Sequence, residues 1–201
     1  MATRERPTQA DRRARSRAAL LEATARGISR AGYANLVLAD VAAEAGYTRG
    51  ALYHQFRDKD ALVLATLDWV YETWYAQVGS VFDEELPPVE ALAELARRHA
   101  VYCRRDIAGL MVTLRVELAA RDHPVGEAVR AQIRELVGRV RRLIIAGRRD
   151  GSIPPGPPAA VLAAAVMSAI EAVVIALAGR PGDDEEMARR VALGLVSAEK
   201  P

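Results

Sequence analysis

The chain has one cysteine, Cys103, in 201 residues. An internal disulfide framework is therefore excluded, and the composition fits a reducing compartment. Histidine occurs three times, and His54, His99 and His123 are far apart. No paired acid or cysteine completes a metal signature around any of them. No glutamate is followed by histidine three residues later, as a di-iron site in a helical bundle would need. Gly-x-Ser-x-Gly and the Gly-rich phosphate loop are also missing. These absences leave no catalytic residue, metal ligand or cofactor to assign, and the expectation is a protein that is not an enzyme. No basic stretch followed by an apolar one opens the chain, so a cytoplasmic location is expected. No run alternates apolar and polar residues for long enough to make a strand.

What the sequence does contain is helical periodicity. From Arg12 to Ala31, the residues Leu20, Leu21, Thr24, Ala25 and Ile28 fall on one stripe, and Gly32 ends that helix. A short helix follows from Val37 to Ala45, with Asn35 as its N-cap candidate. Gly46 closes it. Thr48 caps a third helix running to about Gln55, and Asp58 a fourth from Lys59 to about Gly79. The formal net charge of +2 hides a division. Residues 1–61 carry 11 Lys and Arg against 7 Asp and Glu, net +4; the remainder carries 17 against 19, net −2. Arg12, Arg13, Arg15 and Arg17, with Arg4 and Arg6 upstream, form the densest basic part. Such an arm either binds phosphates or is a solubilising tail.

Two short helices meeting at a glycine, with a longer helix before and after, have the layout of a helix-turn-helix. The stretch GYTRGALYHQF, residues 46–56, contains no acid. Val41, Ala42, Ala45 and Leu52 can pack the two short helices together. Phe56 is expected in the core. Thr48, Arg49, Gly50, Tyr53 and His54 remain for an outer face. Arg49 can make a bidentate contact to guanine. Thr48, Tyr53 and the amides at the helix start can bind phosphates, and Lys59 can hold another. Gly50 lets backbones approach closely.

The first 65 or so residues resemble the DNA-binding domain of the TetR family of bacterial transcriptional repressors. The resemblance rests on Gly32-Tyr33, Asp40-Val41-Ala42, the run Ala45 to Phe56, Lys59 and Leu62, spaced without a gap. It implies phosphate and base contacts at Thr48, Arg49, Tyr53, His54 and Lys59. Two departures from the family pattern stand out. Leu36 and Val37 stand where threonine or serine is usual, and Asn35 is the substitute for the phosphate-binding hydroxyl missing there. Tyr47 stands where a small aliphatic residue is usual, and its ring either packs on the first helix or reaches DNA.

Beyond Lys59 the expectation is five further helices: Val89–Cys103, Asp106 or Ile107 to about Ala120, Val125–Arg149, 159–178 and 184–198. The architecture is thus all-α, about nine helices, with a DNA-binding domain over residues 1–58 and a helical domain over 59–201. The resemblance implies that this second domain binds a small effector and dimerises. Nine of the ten aromatics lie between Tyr47 and Tyr102. By register, Trp69, Thr73, Leu95, His99, Tyr102, Met111, Leu114 and Val137 face inward and are the candidate effector contacts. Mostly apolar walls with a few polar points suit an aromatic or lipophilic ligand. Cys103 is expected to be a buried small hydrophobe, and Arg97-Arg98 and Arg141-Arg142 to lie on solvated faces.

The segment AAVLAAAVMSAIEAVVIALA, residues 159–178, is long enough to span a bilayer. Glu171 inside it, its alanine content and the lack of an aromatic belt argue for a soluble helix, packed on every side. With the last helix it can form a four-helix interface in a homodimer. The expected function is a repressor released from a palindromic double-stranded operator by its effector. The alternative is a dimeric DNA-binding regulator with a filled core, controlled by a protein partner or by its own level.

Overall fold

Thr8 starts the first helix a turn earlier than the apolar stripe suggests. Its hydroxyl accepts the Asp11 N–H (3.1 Å) and the Asp11 carboxylate accepts the Thr8 N–H (2.9 Å), a reciprocal capping box. The helix is α1 (Gln9–Ala31). Arg12, Arg13, Arg15 and Arg17 therefore stand on a helix and not on an extended arm. The structure, a computed structural model, describes residues 8–177 and 180–197. Arg4 and Arg6, and the last residues expected in the final two helices, lie outside them.

Eight more helices follow among the described residues: α2 (Leu38–Glu44), α3 (Arg49–Gln55), α4 (Lys59–Gln77), α5 (Pro88–Tyr102), α6 (Gly109–Leu118), α7 (Pro124–Asp150), α8 (Ala159–Ala176) and α9 (Asp183–Val196). There is no strand among them, and a single 3-10 turn, Gly79–Asp83, follows α4. Proline at the first position begins α5 and α7, where its missing N–H costs nothing.

The chain divides into two compact units. One comprises residues 1–70 and 106–129; the other comprises 71–105 and 130–201. This division falls inside α4 and α7 and differs from a boundary at 58/59. The physical reason is that α6 packs on α1. Leu110, Leu114 and Leu118 of α6 are buried in the same unit as Leu20 and Ile28 of α1 and Leu62 and Val63 of α4. Each such side chain contributes roughly 1.5–3 kcal/mol by leaving water.

In the second unit α9 packs on α5 and on α8. An ion-pair network joins α5 to the start of α9. Arg104 grips Asp184 with two hydrogen bonds (3.0 and 2.8 Å) and reaches Glu185 (2.5 Å). Asp184 is 3% exposed and also accepts the amides of Gly182 and Glu185. The Arg104 guanidinium first, and these amides, hold its carboxyl below the usual carboxylate range. Arg97 and Arg98 are part of the same network while remaining partly exposed: Arg97 binds Glu94 and Glu185, and Arg98 binds Glu94 and Glu84. On α7, Glu135 and Arg139 pair one helical turn apart at 3.2 Å.

The apolar helix α8 is not packed on every side. Leu162, Ala163, Val166 and Ile170 are buried, but Val161 and Ile175 are each 59% exposed, with Ala160, Ala164, Ser168 and Ala172 exposed beside them. Hydropathy measures how apolar a helix is, not whether its own chain covers every face.

Candidate nucleic-acid interface

The turn between α2 and α3 is a Schellman motif. The Gly46 N–H bonds to the Ala43 carbonyl (3.0 Å) and the Tyr47 N–H to the Ala42 carbonyl (2.8 Å). Gly46 supplies the positive φ, +77°, that this turn requires. One residue later the Thr48 hydroxyl accepts the Ala51 N–H (3.2 Å) and caps α3. Val41, Ala42, Leu52 and Phe56 are at most 4% exposed and fix the angle between the two helices from inside. Both helices are also tied to α1. Gln55 donates to the Ser16 hydroxyl (3.0 Å), and the Arg17 guanidinium lies 4.7 Å over the Phe56 ring. Glu44 at the end of α2 accepts from Arg30 (2.5 Å) and Arg26 (2.7 Å), which in that order lower its carboxyl below the ordinary value.

With its inner face fixed, α3 presents the outer face that the spacing predicts. Tyr47, Thr48, Arg49, Gly50, Tyr53 and His54 are all exposed. Arg49 is preorganised: it donates to the Tyr53 hydroxyl (3.4 Å), and its guanidinium sits 5.3 Å from that ring. Arg12 and Arg13 are exposed on α1. Two residues behave differently. Asn35 does not cap α2; its amide donates to the Ala31 carbonyl (2.9 Å) and so closes the end of α1. The α2 cap position belongs to Val37, which is 52% exposed and has no side-chain bond to offer, while Leu36 is buried. Lys59 is half-buried, with its ammonium over the Tyr33 ring (4.5 Å) and 3.4 Å from the Ala34 carbonyl.

The eight candidate effector contacts are divided between the two units. Trp69, Met111 and Leu114 belong to the first unit; Thr73, Leu95, His99, Tyr102 and Val137 belong to the second. The second unit pairs the hydroxyls of Thr73 and Tyr102 at 2.9 Å. It also joins His99 to Trp74, an aromatic that register arguments passed over for Trp69. The indole N–H donates to His99 Nδ1 (3.0 Å), and Nε2 lies 3.4 Å from the Cys103 sulfur. Burial pulls His99 down to about 4, so it is a neutral imidazole. Burial pushes the Cys103 thiol up to about 12, which makes it an unreactive thiol. A groove of about 290 Å³ opens nearby between α4 and α5, lined by Ala76, Gln77, Ser80, Arg98, Val101 and Tyr102, with Arg97 at its side.

A short helix pair joined at a left-handed glycine, with a capped second helix whose polar face is exposed, is the layout of a helix-turn-helix. The comparisons with known proteins agree. Residues 20–66 match the family model for bacterial regulatory proteins of the tetR family. Over 81 residues the chain is 40% identical to the probable HTH-type transcriptional regulator ArpR of Pseudomonas putida. It is 38% identical over 81 residues to the HTH-type transcriptional regulator TtgR, also of Pseudomonas putida. Each match covers 40% of this chain and 39% of the relative. The fold is shared along most of the chain. AibR, solved with isovaleryl coenzyme A and operator DNA, superimposes with a TM-score of 0.73 at 22% identity, over 90% of this chain and 98% of that one. FadR of Bacillus subtilis, solved with stearoyl-CoA, gives 0.74 at 16% identity, over 90% and 97%. Residues 20–66 are thus similar to the DNA-binding domain of the tetR family of bacterial regulatory proteins, and the matches span about two fifths of the relatives' length.

Proposed function

We propose that the chain is a ligand-responsive repressor, acting as a homodimer on a palindromic operator. The observation that carries this is the exposed, acid-free face of α3, capped by Thr48 and anchored to α1. Arg49 reads a base pair; Thr48, Tyr53, His54, Tyr47 and Lys59 hold the backbone, with Arg12 and Arg13 adding phosphate contacts. Gly50 keeps the surface low for close approach. Asn35, engaged with Ala31, contributes only through the loop it closes. Residues 1–58, with Lys59 at the start of the next segment, thus carry DNA recognition, and the rest of residues 59–201 carry effector binding and dimerisation.

The effector is a small lipophilic or aromatic molecule. In support, two proteins of this fold have been solved with acyl-CoA ligands. The apolar second unit also contains neutral polar groups, His99 and the Thr73–Tyr102 pair, suited to orienting such a ligand. The effector and the operator are coupled, so each must weaken the other by the same factor. The pairing of these polar groups with one another favours one alternative, a filled interior with control by a protein partner.

The test is selection of random duplex DNA by the purified protein at physiological salt, where unspecific phosphate binding is weak. Recovery of a palindrome supports the dimeric reader. An unenriched pool ends the repressor reading. With the site known, a panel of fatty acyl and aromatic compounds is screened for release. Release by none, with the operator bound, favours the filled interior.

A further inference from the structure

The loop that joins α1 to α2 is held by three elements at once. The Glu117 carboxylate of α6 lies where a side chain on Gly32 would begin, 1.9 Å from an ideal Cβ, and accepts the Ala34 N–H (3.1 Å). Only glycine admits that approach. Between Gly32 and Ala34, Tyr33 turns its hydroxyl toward the start of α4 and donates to Asp60. His123, at the corner between α6 and α7, completes the cluster. Its Nδ1 accepts the Val125 N–H (3.2 Å), capping α7, which leaves Nε2 as the donor. Nε2 lies 3.4 Å from the Tyr33 oxygen and 3.7 Å from the Asp60 carboxylate, with the two rings edge to face at 5.2 Å. The Tyr33 ring is thus oriented from both sides. Burial, then Asp60, push the tyrosine up to about 12, so it remains a donor.

The face of that ring carries Lys59. The ammonium has three N–H donors; one is directed at the Ala34 carbonyl, and the ring supports the charge from below. At least one donor is left for a further anion. A lysine stem without such a platform would sample many rotamers and lose that freedom when ordered on binding. We propose that Tyr33, held by Asp60 and His123, is a positioning residue that presents Lys59 to the DNA backbone, so that the α6–α7 corner bears directly on phosphate contact. The proposal rests on Lys59 touching a phosphate, as set out above.

The experiment is the salt dependence of binding to a mixed-sequence duplex, which reads phosphate contacts without an operator. Lys59→Ala is expected to shallow the slope by about one unit. Tyr33→Leu, which removes the platform, is expected to do the same, and the double variant no more. Tyr33→Phe keeps the ring but loses its tie. His123→Asn keeps a side-chain cap for α7 but is too short to reach Tyr33. Both are expected to weaken binding about three- to tenfold, the loss of one hydrogen bond, with unchanged helix content. Wild-type affinity in both of these gentle variants overturns the proposal, even if Tyr33→Leu fails to fold. So does a wild-type slope for Tyr33→Leu beside a shallowed one for Lys59→Ala, and the DNA contact then stands alone. An unchanged slope for Lys59→Ala removes the contact itself, and the proposal with it.

Discussion

At the scale of single residues, α3 separates side chains that build the fold from those that spend their chemistry outward. Leu52 is fully buried, and Tyr53, beside it, is 43% exposed. Gly50 makes the separation testable. A Cβ added there meets nothing nearer than the Thr48 hydroxyl at 3.9 Å, so alanine fits the free protein. Gly50→Ala is expected to keep or raise stability, by no more than about 0.5–1 kcal/mol, while weakening operator binding. Thermal melting and operator titration on the same sample check both halves; undiminished binding would show that α3 does not approach DNA closely. Arg49→Ala is expected to cost about 1–3 kcal/mol at the operator and to relax one base pair, read by repeating the selection. The Thr48 cap was legible because a cap acts three residues away along the chain. Asn35 was misassigned for a related reason: its amide reaches back to Ala31 as easily as forward, and only packing decides which.

At the scale of elements, the turn and the ion pairs decide how well the helices are held. Gly46 at φ +77° has open space around it, so the cost of a side chain there is conformational. Gly46→Ala is expected to lose about 1–2 kcal/mol of stability, measured by denaturant unfolding, with operator affinity falling further as the helix angle loosens. On α5, Arg97 and then Arg98 hold Glu94 at about 2 against an ordinary value of 4.5. The folded state therefore binds that proton less readily than the unfolded one. This stability is fully present above about 4.5 and is lost as pH falls toward about 2. Glu94→Gln is expected to be less stable near neutrality and to decline less across that window. Parallel decline of the two melting curves would assign the acid sensitivity elsewhere, Asp184 first. Of these pairs only neighbours on one helix, such as Glu94–Arg98, could be read from spacing. Arg104–Asp184 joins residues 80 positions apart and has no such signature.

At the scale of the whole molecule, the uncovered side of α8 and α9 is the feature a single chain leaves unsatisfied. Val161 and Ile175 on α8, with Met187 (42%) and Leu195 (39%) on α9, are exposed apolar residues on the two helices proposed to form the dimer. A charge at this face is expected to separate the subunits. Val161→Arg should sediment as a monomer and lose operator binding, because one recognition helix reads only half a palindrome. A dimeric Val161→Arg would move the interface to another surface.

The sequence by itself determined the helical class, the order of the nine helices among the described residues, the turn at Gly46, the cap at Thr48 and the exposed face from Tyr47 to His54. These depend on residues within four or five positions of each other, where periodicity, caps and glycine placement act directly on the backbone. Tertiary structure decided the rest. It placed α6 with α1, drew Tyr33, Asp60 and His123 into one cluster under Lys59, and left one face of α8 bare. Each of these is a pairing across distant parts of the chain, set by which apolar surfaces bury one another and which polar groups then need partners, and local spacing contains no record of either.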